Sequence, residues 1–499
     1  MRLFNYLRPR REQPTAVLTD EVIPINGLFR YMDGTMELAF KFDDVLEPDK
    51  LRQSLERLLQ IGNWRHLGGR LRRRNDSESQ EFELHIPAQY DSARPGFIFR
   101  TSEWDGSITD HPVCSQLPRG TNNLTFLGSS QILGPLIHRA EDPRGIDDLI
   151  CTDSPSLFFD QINFSDATLM LVTFPHYLMD VMGYVTFLNA WISVLHGRED
   201  EVPECRTFID DCVTRLASKT HAEKYMFYSS AVQGLNKISY IFRIIWDKIW
   251  YPKVEYPTVC IPGWFLNRLR KEALTELALK SSQENNDTHF VSESDVLLAW
   301  LTKTLVAVAK PSERKPLVLM NVFDVRSTVL PPKIAYILNA VTFAYTILPV
   351  SQVYTQPLSF LAAQIRQSLE KQRNNEQIEA QLAMSKIFHE KTGSPPMIGT
   401  RDMFMNIWSN WSRAKFFHLD FSPAVRNVSG ARDMRVNGLG VPSCFLNTTP
   451  MNIFWHGGGI IFGKDCSGNW WLQWSLRKGA KAKIEELFNS INQEHCGSS

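Results

Sequence analysis

His176 and Asp180 carry the clearest chemistry in the chain, four residues apart within SDATLMLVTFPHYLMDVMGYVTFLNAWISVLHG, residues 165–197. Imidazole is the side chain whose ordinary pKa lies near neutrality, so a histidine held at a fixed joint can remove a proton as a general base. A nearby carboxylate can orient such a ring or brace its loop. The run that delivers the pair is apolar from Leu169 to Phe174 and stops at Pro175, which has no backbone N–H to donate. Apolar residues then recur at 184, 185, 187, 188, 191, 192 and 195 before Gly197. The pattern predicts a buried strand, a joint holding His176 and Asp180, and a helix closed by the glycine.

Other chemistries find less support. The eight cysteines form no C-x-x-C pair or Cys/His cluster, which points to a reducing compartment and no metal site. There is no G-x-S-x-G nucleophile elbow. Gly457-Gly458-Gly459 with Gly463 lacks the lysine and hydroxyl residue of a phosphate loop and reads as a turn before a strand. Arg72 to Arg74 reads as a solvated turn able to assist an anionic ligand. Lysine plus arginine equals aspartate plus glutamate at 54 each, which argues against a sequence-independent grip on nucleic acid and for a small-molecule partner. The basic opening MRLFNYLRPRREQP has no sustained apolar core, and no later segment offers about 18 uncharged apolar residues. A soluble, cytoplasmic protein is expected.

The elements that must position the pair can be traced on both sides of it. Thr35 to Phe42 and Glu81 to Ile86 read as strands, and Leu51, Leu55, Leu58 and Leu59 share one face of a helix. Asp105 to Gly134 reads as irregular, with turn residues throughout. In residues 238–250, Ile238, Ile241, Phe242, Ile245 and Ile249 form an apolar stripe, with Trp246 and Trp250 beside it and Arg243, Asp247 and Lys248 interrupting it. A buried crossover helix is the first reading and an interfacial membrane helix the second. Later, Ser292 and Asp295 resemble a helix cap; Leu317 to Phe323, Ala340 to Leu348, Phe417 to Phe421 and Trp470 to Leu476 read as strands; and Pro357 to Arg373 and Ala480 to Phe488 read as helices. Strands and helices interleave in both halves, so the class is α/β with mixed α+β sheets. The expected division is 1–215 with the His176 region, a crossover at 216–255, and 256–499.

The stretch TLMLVTFPHYLMDVMGYVTFLNAWISVLHG resembles the H-x-x-x-D-G region of the BAHD acyltransferases, including their fungal branch. LRQSLERLLQIGNWRHLGGRLRRR resembles that family's early helix and G-R-L turn, and VLMNVFDVRSTVLPPKIAYILNAV its arginine-bearing strand, with Arg326, Pro331, Pro332 and Asn339. NIWSNWSRAKFFHLDFSPA resembles the approach to its D-F-G-W-G motif, at Asp420 and Phe421. The resemblance implies two chloramphenicol-acetyltransferase-like domains with an active-site channel between them, and coenzyme A-dependent acylation, acetyl-coenzyme A being the expected donor. It implies a monomer with no tightly bound cofactor and no metal. His176 would be the base for direct attack of an acceptor hydroxyl on the thioester. Asp180 would brace the loop, and Asp420 would pair with Arg326 as a second brace. Asn410 and Trp411 would be the place to seek an oxyanion or substrate contact.

Two departures stand out. Val181 occupies the place of the motif glycine, with glycine only at Gly183, and the second motif is reduced to Asp420-Phe421-Ser422-Pro423. Val181 is therefore a candidate for controlling acceptor access. The alternatives are a condensation-like transferase using a carrier-protein thioester, although Pro175 replaces the first of its two usual histidines, and a catalytically degenerate ligand-binding or scaffold protein.

Overall fold

A computed structural model describes residues 11–25, 34–74, 82–137, 139, 142–284, 290–331, 334–426, 436–449 and 457–498. Glu81 and Pro332 lie outside these described residues. The chain forms two domains of mixed α/β structure. The first is built on a five-stranded sheet ordered Pro442–Asn447, Thr35–Phe42, Thr168–Pro175, Phe158–Asn163 and Ile98–Glu103. Its neighbours are antiparallel except for the last pair, which is parallel. The helices Pro48–Leu58 and Val181–Leu195 pack against each other and the sheet, with Trp191 donating its indole N–H to Ser54 Oγ at 2.9 Å. Both flanking strands of Thr168–Pro175 are present, so this strand is central, which is why it reads as a continuous apolar run.

The second domain is built on a seven-stranded sheet ordered Val341–Pro349, Pro316–Asp324, Phe404–Asn410, Gly459–Lys464, Trp470–Trp474, Pro257–Ile261 and Thr125–Ser129. The helices Glu293–Ala309 and Leu358–Gln372 cover one face and close a second core. The first of them starts with a full capping box between Ser292 and Asp295, as the sequence pattern indicates. Gly458 and Gly459 are required by close approach: a Cβ would lie 1.8 Å from the Ile407 carbonyl oxygen and 2.1 Å from that of Gln473.

Two strands cross the boundaries read from the sequence. Thr125–Ser129, from the first half, edges the second sheet, and Pro442–Asn447, from the second half, edges the first. The former corrects the irregular reading of residues 105–134. Its polar, turn-like residues hide a strand that forms only because Pro257–Ile261 offers a ladder and Phe126 stacks on Phe488 with ring centroids 5.0 Å apart.

Three further expectations are corrected. Phe417 to Phe421 is not a strand: 3₁₀ turns at Phe416–His418 and Ser422–Ala424 flank it. This lets consecutive aromatics find different partners, with Phe416 stacked on Phe445 and Phe417 against Trp471. Arg72 is not in a solvated turn but in the strand Arg70–Arg73; it is 3% exposed and pairs with Asp153 while donating to the Thr152 carbonyl at 2.7 Å. The helix Gly234–Trp250 is not a buried crossover, because Tyr240 is its one fully buried side chain and its apolar stripe faces outward.

Because each sheet contains a strand from the other half, neither domain can unfold without breaking a ladder of its neighbour. Calorimetry should show one cooperative transition, with calorimetric and van't Hoff enthalpies agreeing. Two separated transitions would show that the exchanged strands do not couple the halves.

Candidate active site

The strand Thr168–Pro175 ends where the sequence indicates, and His176 begins the joint by donating its backbone N–H to the Gly34 carbonyl at 2.9 Å. The next residue, Tyr177, is buried and hydrogen-bonded through its phenol to Ser156 at 2.8 Å. From the second domain, the Asn339 side-chain amide donates to the His176 carbonyl at 2.9 Å. The joint is thus held on both sides. The His176 ring is surrounded by protein, and the residue as a whole is half-buried. Burial holds its pKa below the ordinary histidine value, with its own backbone, Asp180 and the Asn339 side chain pulling partly the other way. Its Nδ1 is sealed from solvent, so the opposite edge of the ring is the one a reactant could meet.

Asp180 faces elsewhere. It is the N-cap of the helix Val181–Leu195, where Oδ1 accepts from the Gly183 N–H at 2.7 Å. The same oxygen accepts from Arg326 Nη2 at 2.9 Å, while Oδ2 accepts from Arg326 Nη1 at 3.1 Å and from the Ala340 N–H at 2.7 Å. With four donors on its two oxygens the carboxylate has no capacity left for the imidazole. It is a brace. Arg326 also donates to Asp324 Oδ1 at 2.6 Å and to the Tyr336 carbonyl at 2.8 Å. Burial opposes the charge on Arg326, but Asp180 and Asp324 outweigh it and hold its pKa above the ordinary arginine value.

This geometry overturns the expected pairing of Arg326 with Asp420. The Asp420 side chain is 51% exposed; Oδ1 accepts from the Ser422 N–H at 2.9 Å and Oδ2 lies 3.5 Å from His196 Nε2. The physical reason is proximity: Asp324 sits two residues before the arginine at a strand end and claims the position. The D-x-R spacing was the signal available for it. Phe421 is buried, edge-on to Phe42 and Trp191, so the aromatic of that motif packs while its acid stays at the surface.

Trp411 is also reassigned. Its indole N–H is given to Ser409 Oγ at 2.8 Å and its ring is buried beside Phe462 and Phe445, so it is a packing residue. Asn410 uses Oδ1 to accept from the Ser412 N–H at 3.0 Å. Ser409 accepts from Trp411 and keeps its own hydroxyl hydrogen to donate. It is paired in register with Val322, two residues from Asp324 on the neighbouring strand, a placement that nothing local in the sequence signalled. Val181 is 6% exposed in the first core, so its bulk reaches the joint through packing. Gly183 is the glycine the joint requires, since a Cβ there would lie 1.9 Å from the Ile337 carbonyl oxygen.

Comparison with known proteins bears on the chain that carries this joint and its buried ion pair. The transferase family model matches residues 162–423, which span His176, Asp180, Arg326 and Asp420. The O-acyltransferase pboC of Aspergillus ustus is 45% identical over 470 residues, 93% of this chain and 98% of that protein. The chain belongs to the transferase family of BAHD-type acyltransferases. Another member, the acetyltransferase adrJ of Penicillium rubens, is 36% identical over 98% of this chain and 99% of its own length. Among solved structures, F. graminearum TRI101 complexed with coenzyme A and deoxynivalenol shares the fold, with a TM-score of 0.67 at 14% identity over 93% of this chain and 97% of that one. The protein is accordingly an acyltransferase with the two-domain fold of this family.

Removing one partner of a buried ion pair leaves the other charge unpaired, so Asp180→Ala should cost about 3–5 kcal/mol in chemical denaturation. Asp420→Ala, at an exposed carboxylate, should change stability by less than about 0.5 kcal/mol. Equal effects of the two would restore the pairing first expected from the sequence.

Proposed function

We propose that the protein transfers an acyl group, acetyl being the first candidate, from coenzyme A to a hydroxyl of a largely apolar small metabolite. His176 acts as the general base. The observation that carries this reading is the histidine itself: half-buried, locked through its backbone from both domains, and kept neutral near pH 7 by burial. In the step, the ring nitrogen opposite the sealed Nδ1 takes the acceptor's hydroxyl proton as the oxygen attacks the thioester carbonyl carbon. The carbonyl oxygen takes up the negative charge. When it re-forms the double bond the carbon–sulfur bond breaks, and the thiolate of coenzyme A leaves and takes the proton from the imidazolium. No acyl-enzyme, metal or tightly bound cofactor is needed.

The oxyanion requires a donor, and the Ser409 hydroxyl and the Asn410 side-chain amide are the candidates at the end of the strand Phe404–Asn410. The half-buried Met320, Val322 and Phe343, on the same sheet pair as Asp324, offer an apolar wall for the acceptor. The relatives, an O-acyltransferase and an acetyltransferase, and the coenzyme A bound in TRI101 support the donor and the reaction class. The mechanism works within one chain, and we place it in the cytoplasm as a monomer.

With acetyl-coenzyme A and an acceptor found by mass-spectrometric screening, His176→Ala should lower kcat by about 10²–10⁴-fold with the far-ultraviolet circular dichroism unchanged. Unchanged turnover would end the histidine-base account. Because the pKa of His176 is depressed, the neutral base persists through neutrality, and kcat/KM should be flat there and fall only on the acid side of the ordinary histidine value. Glu37, on the adjacent strand, has its carboxyl pushed up to about 7 by burial and so titrates near this range as well. The acid limb should survive Glu37→Gln. Ser409→Ala should lower kcat by about 10²-fold or more if its hydroxyl meets the oxyanion, with little change in KM.

A further inference from the structure

The helix Gly234–Trp250 is turned inside out relative to a helix that packs on a core. Its charged side chains are turned toward the protein, while Asn236 and Ser239 are exposed. Arg243 donates to the Arg401 and Met403 carbonyls, Asp247 pairs with Arg477 at 2.6 Å, and Lys237 Nζ donates to Ser394 Oγ at 3.2 Å. Its apolar side chains face out: Leu235 is 83% exposed, Phe242 68%, Trp246 62%, Ile249 66% and Trp250 65%. At 100° per residue, Leu235, Ile238, Ile241, Phe242, Ile245, Trp246, Ile249 and Trp250 span about half of the circumference. The anchoring residues Lys237, Tyr240, Arg243, Ile244 and Asp247 take the rest. An exposed apolar face this large and continuous marks an interaction site in a folded protein.

The charge around the face decides what covers it. Residues 234–253 contain Lys237, Arg243, Lys248 and Lys253 against the single carboxylate Asp247, which is itself paired with Arg477. Along the inner edge of the helix runs a cleft of about 350 Å³ lined by Arg243, Lys310, Lys315 and Arg477, with Asp247 as its one acidic residue. An apolar stripe rich in tryptophan, phenylalanine and isoleucine, bordered by cations, is complementary to a bilayer interface carrying anionic headgroups. No helix among the described residues is long and apolar enough to cross a membrane, so the fit is to lying on the surface.

We propose that the helix Gly234–Trp250 docks the protein on an anionic membrane surface, its apolar face in the headgroup boundary and its basic cleft against phosphate-bearing headgroups. The docked helix would sit at one end of the sheet face that leads to the site. Tyr240 packs in one cluster with Val318 and Met403, and the strand Pro316–Asp324 runs from there to Asp324, the partner of Arg326. From Val318 to Asp324 is about 20 Å of strand. An apolar acceptor dissolved in the membrane would have a short path to His176. The docking surface stands apart from the acylation chemistry and holds or fails independently of it.

The full chain would be floated with phosphatidylcholine vesicles and with vesicles of phosphatidylcholine and phosphatidylserine, alongside a Phe242→Glu, Trp246→Glu, Ile249→Glu variant. The expected result is retention on the anionic vesicles, weakened by salt and by omission of phosphatidylserine, with the variant bound at least about tenfold less. Circular dichroism and turnover of a water-soluble acceptor by the variant should match the parent, since the three side chains are each more than 60% exposed. Three results overturn the proposal: no retention on anionic vesicles, equal retention on neutral ones, or retention unaffected by the substitutions. So does a dimer, seen by light scattering and dissolved by the substitutions, in the absence of vesicle binding, because the face would then belong to a second copy of the chain.

Discussion

The buried pair between Asp180 and Arg326 is the constraint on which the rest of the site depends. It joins a loop of the first domain to a strand end of the second in two parallel hydrogen bonds. Taking both charges out of water costs several kcal/mol per ion, and the pair is tolerable only if the remaining hydrogen-bonding positions are filled. Here they are. The Gly183 and Ala340 N–H groups complete the carboxylate, and Asp324 with the Tyr336 and Leu338 carbonyls complete the guanidinium. Each of those partners is fixed in backbone position as a result, and the pair holds the C-terminal end of the loop that carries His176, while the Gly34 carbonyl and the Asn339 side chain hold its start. The aspartate therefore acts on the chemistry by geometry, and the imidazole is left without a carboxylate partner.

Two close approaches make the pair reachable. Gly183 lets the first turn of its helix touch the Ile337 carbonyl, and the exchanged strands bring the two sheets to a common boundary. The absence of a glycine at Val181 is thus compensated two residues later, at the position where the second domain passes. The conformational rule is the same one that places glycines at 458 and 459, where backbone meets backbone. A joint held from both domains needs domains that neither slide nor separate, and shared ladders with interdomain hydrogen bonds supply that more directly than a flat apolar interface would.

The helix Gly234–Trp250 follows the opposite logic. The other long helices draw most of their large apolar side chains inward, whereas this element is tied down by its charged ones. Arg243 and Asp247 find fixed partners on the body, so the helix can hold its orientation without burying its apolar face. An orientation kept in this way leaves that face available to a second phase or a second molecule.

The sequence by itself determined the elements whose patterns are local. The strand before His176 and the helix after it were legible because a central strand must be apolar throughout and a covered helix must repeat every three to four residues. The family was legible from the same stretch, and the capping box at Ser292 from its own local pattern. Only the tertiary structure decided which acid faces Arg326, because Asp324 and Asp420 are both near plausible motifs and the choice rests on distance in space. It also decided that Arg72 is buried against Asp153, that Thr125–Ser129 is a strand, and that Trp411 spends its N–H on Ser409. For Arg72 and for Thr125–Ser129 the partner lies on a distant element, so no local spacing could encode it; Asp324 and Ser409 are only two residues from their partners, and there the choice among nearby groups rests on how the chain turns. The outward turn of the 234–250 helix is the same lesson in reverse: periodicity fixed the existence of an apolar face, and only the surrounding anchors fixed the direction in which it points.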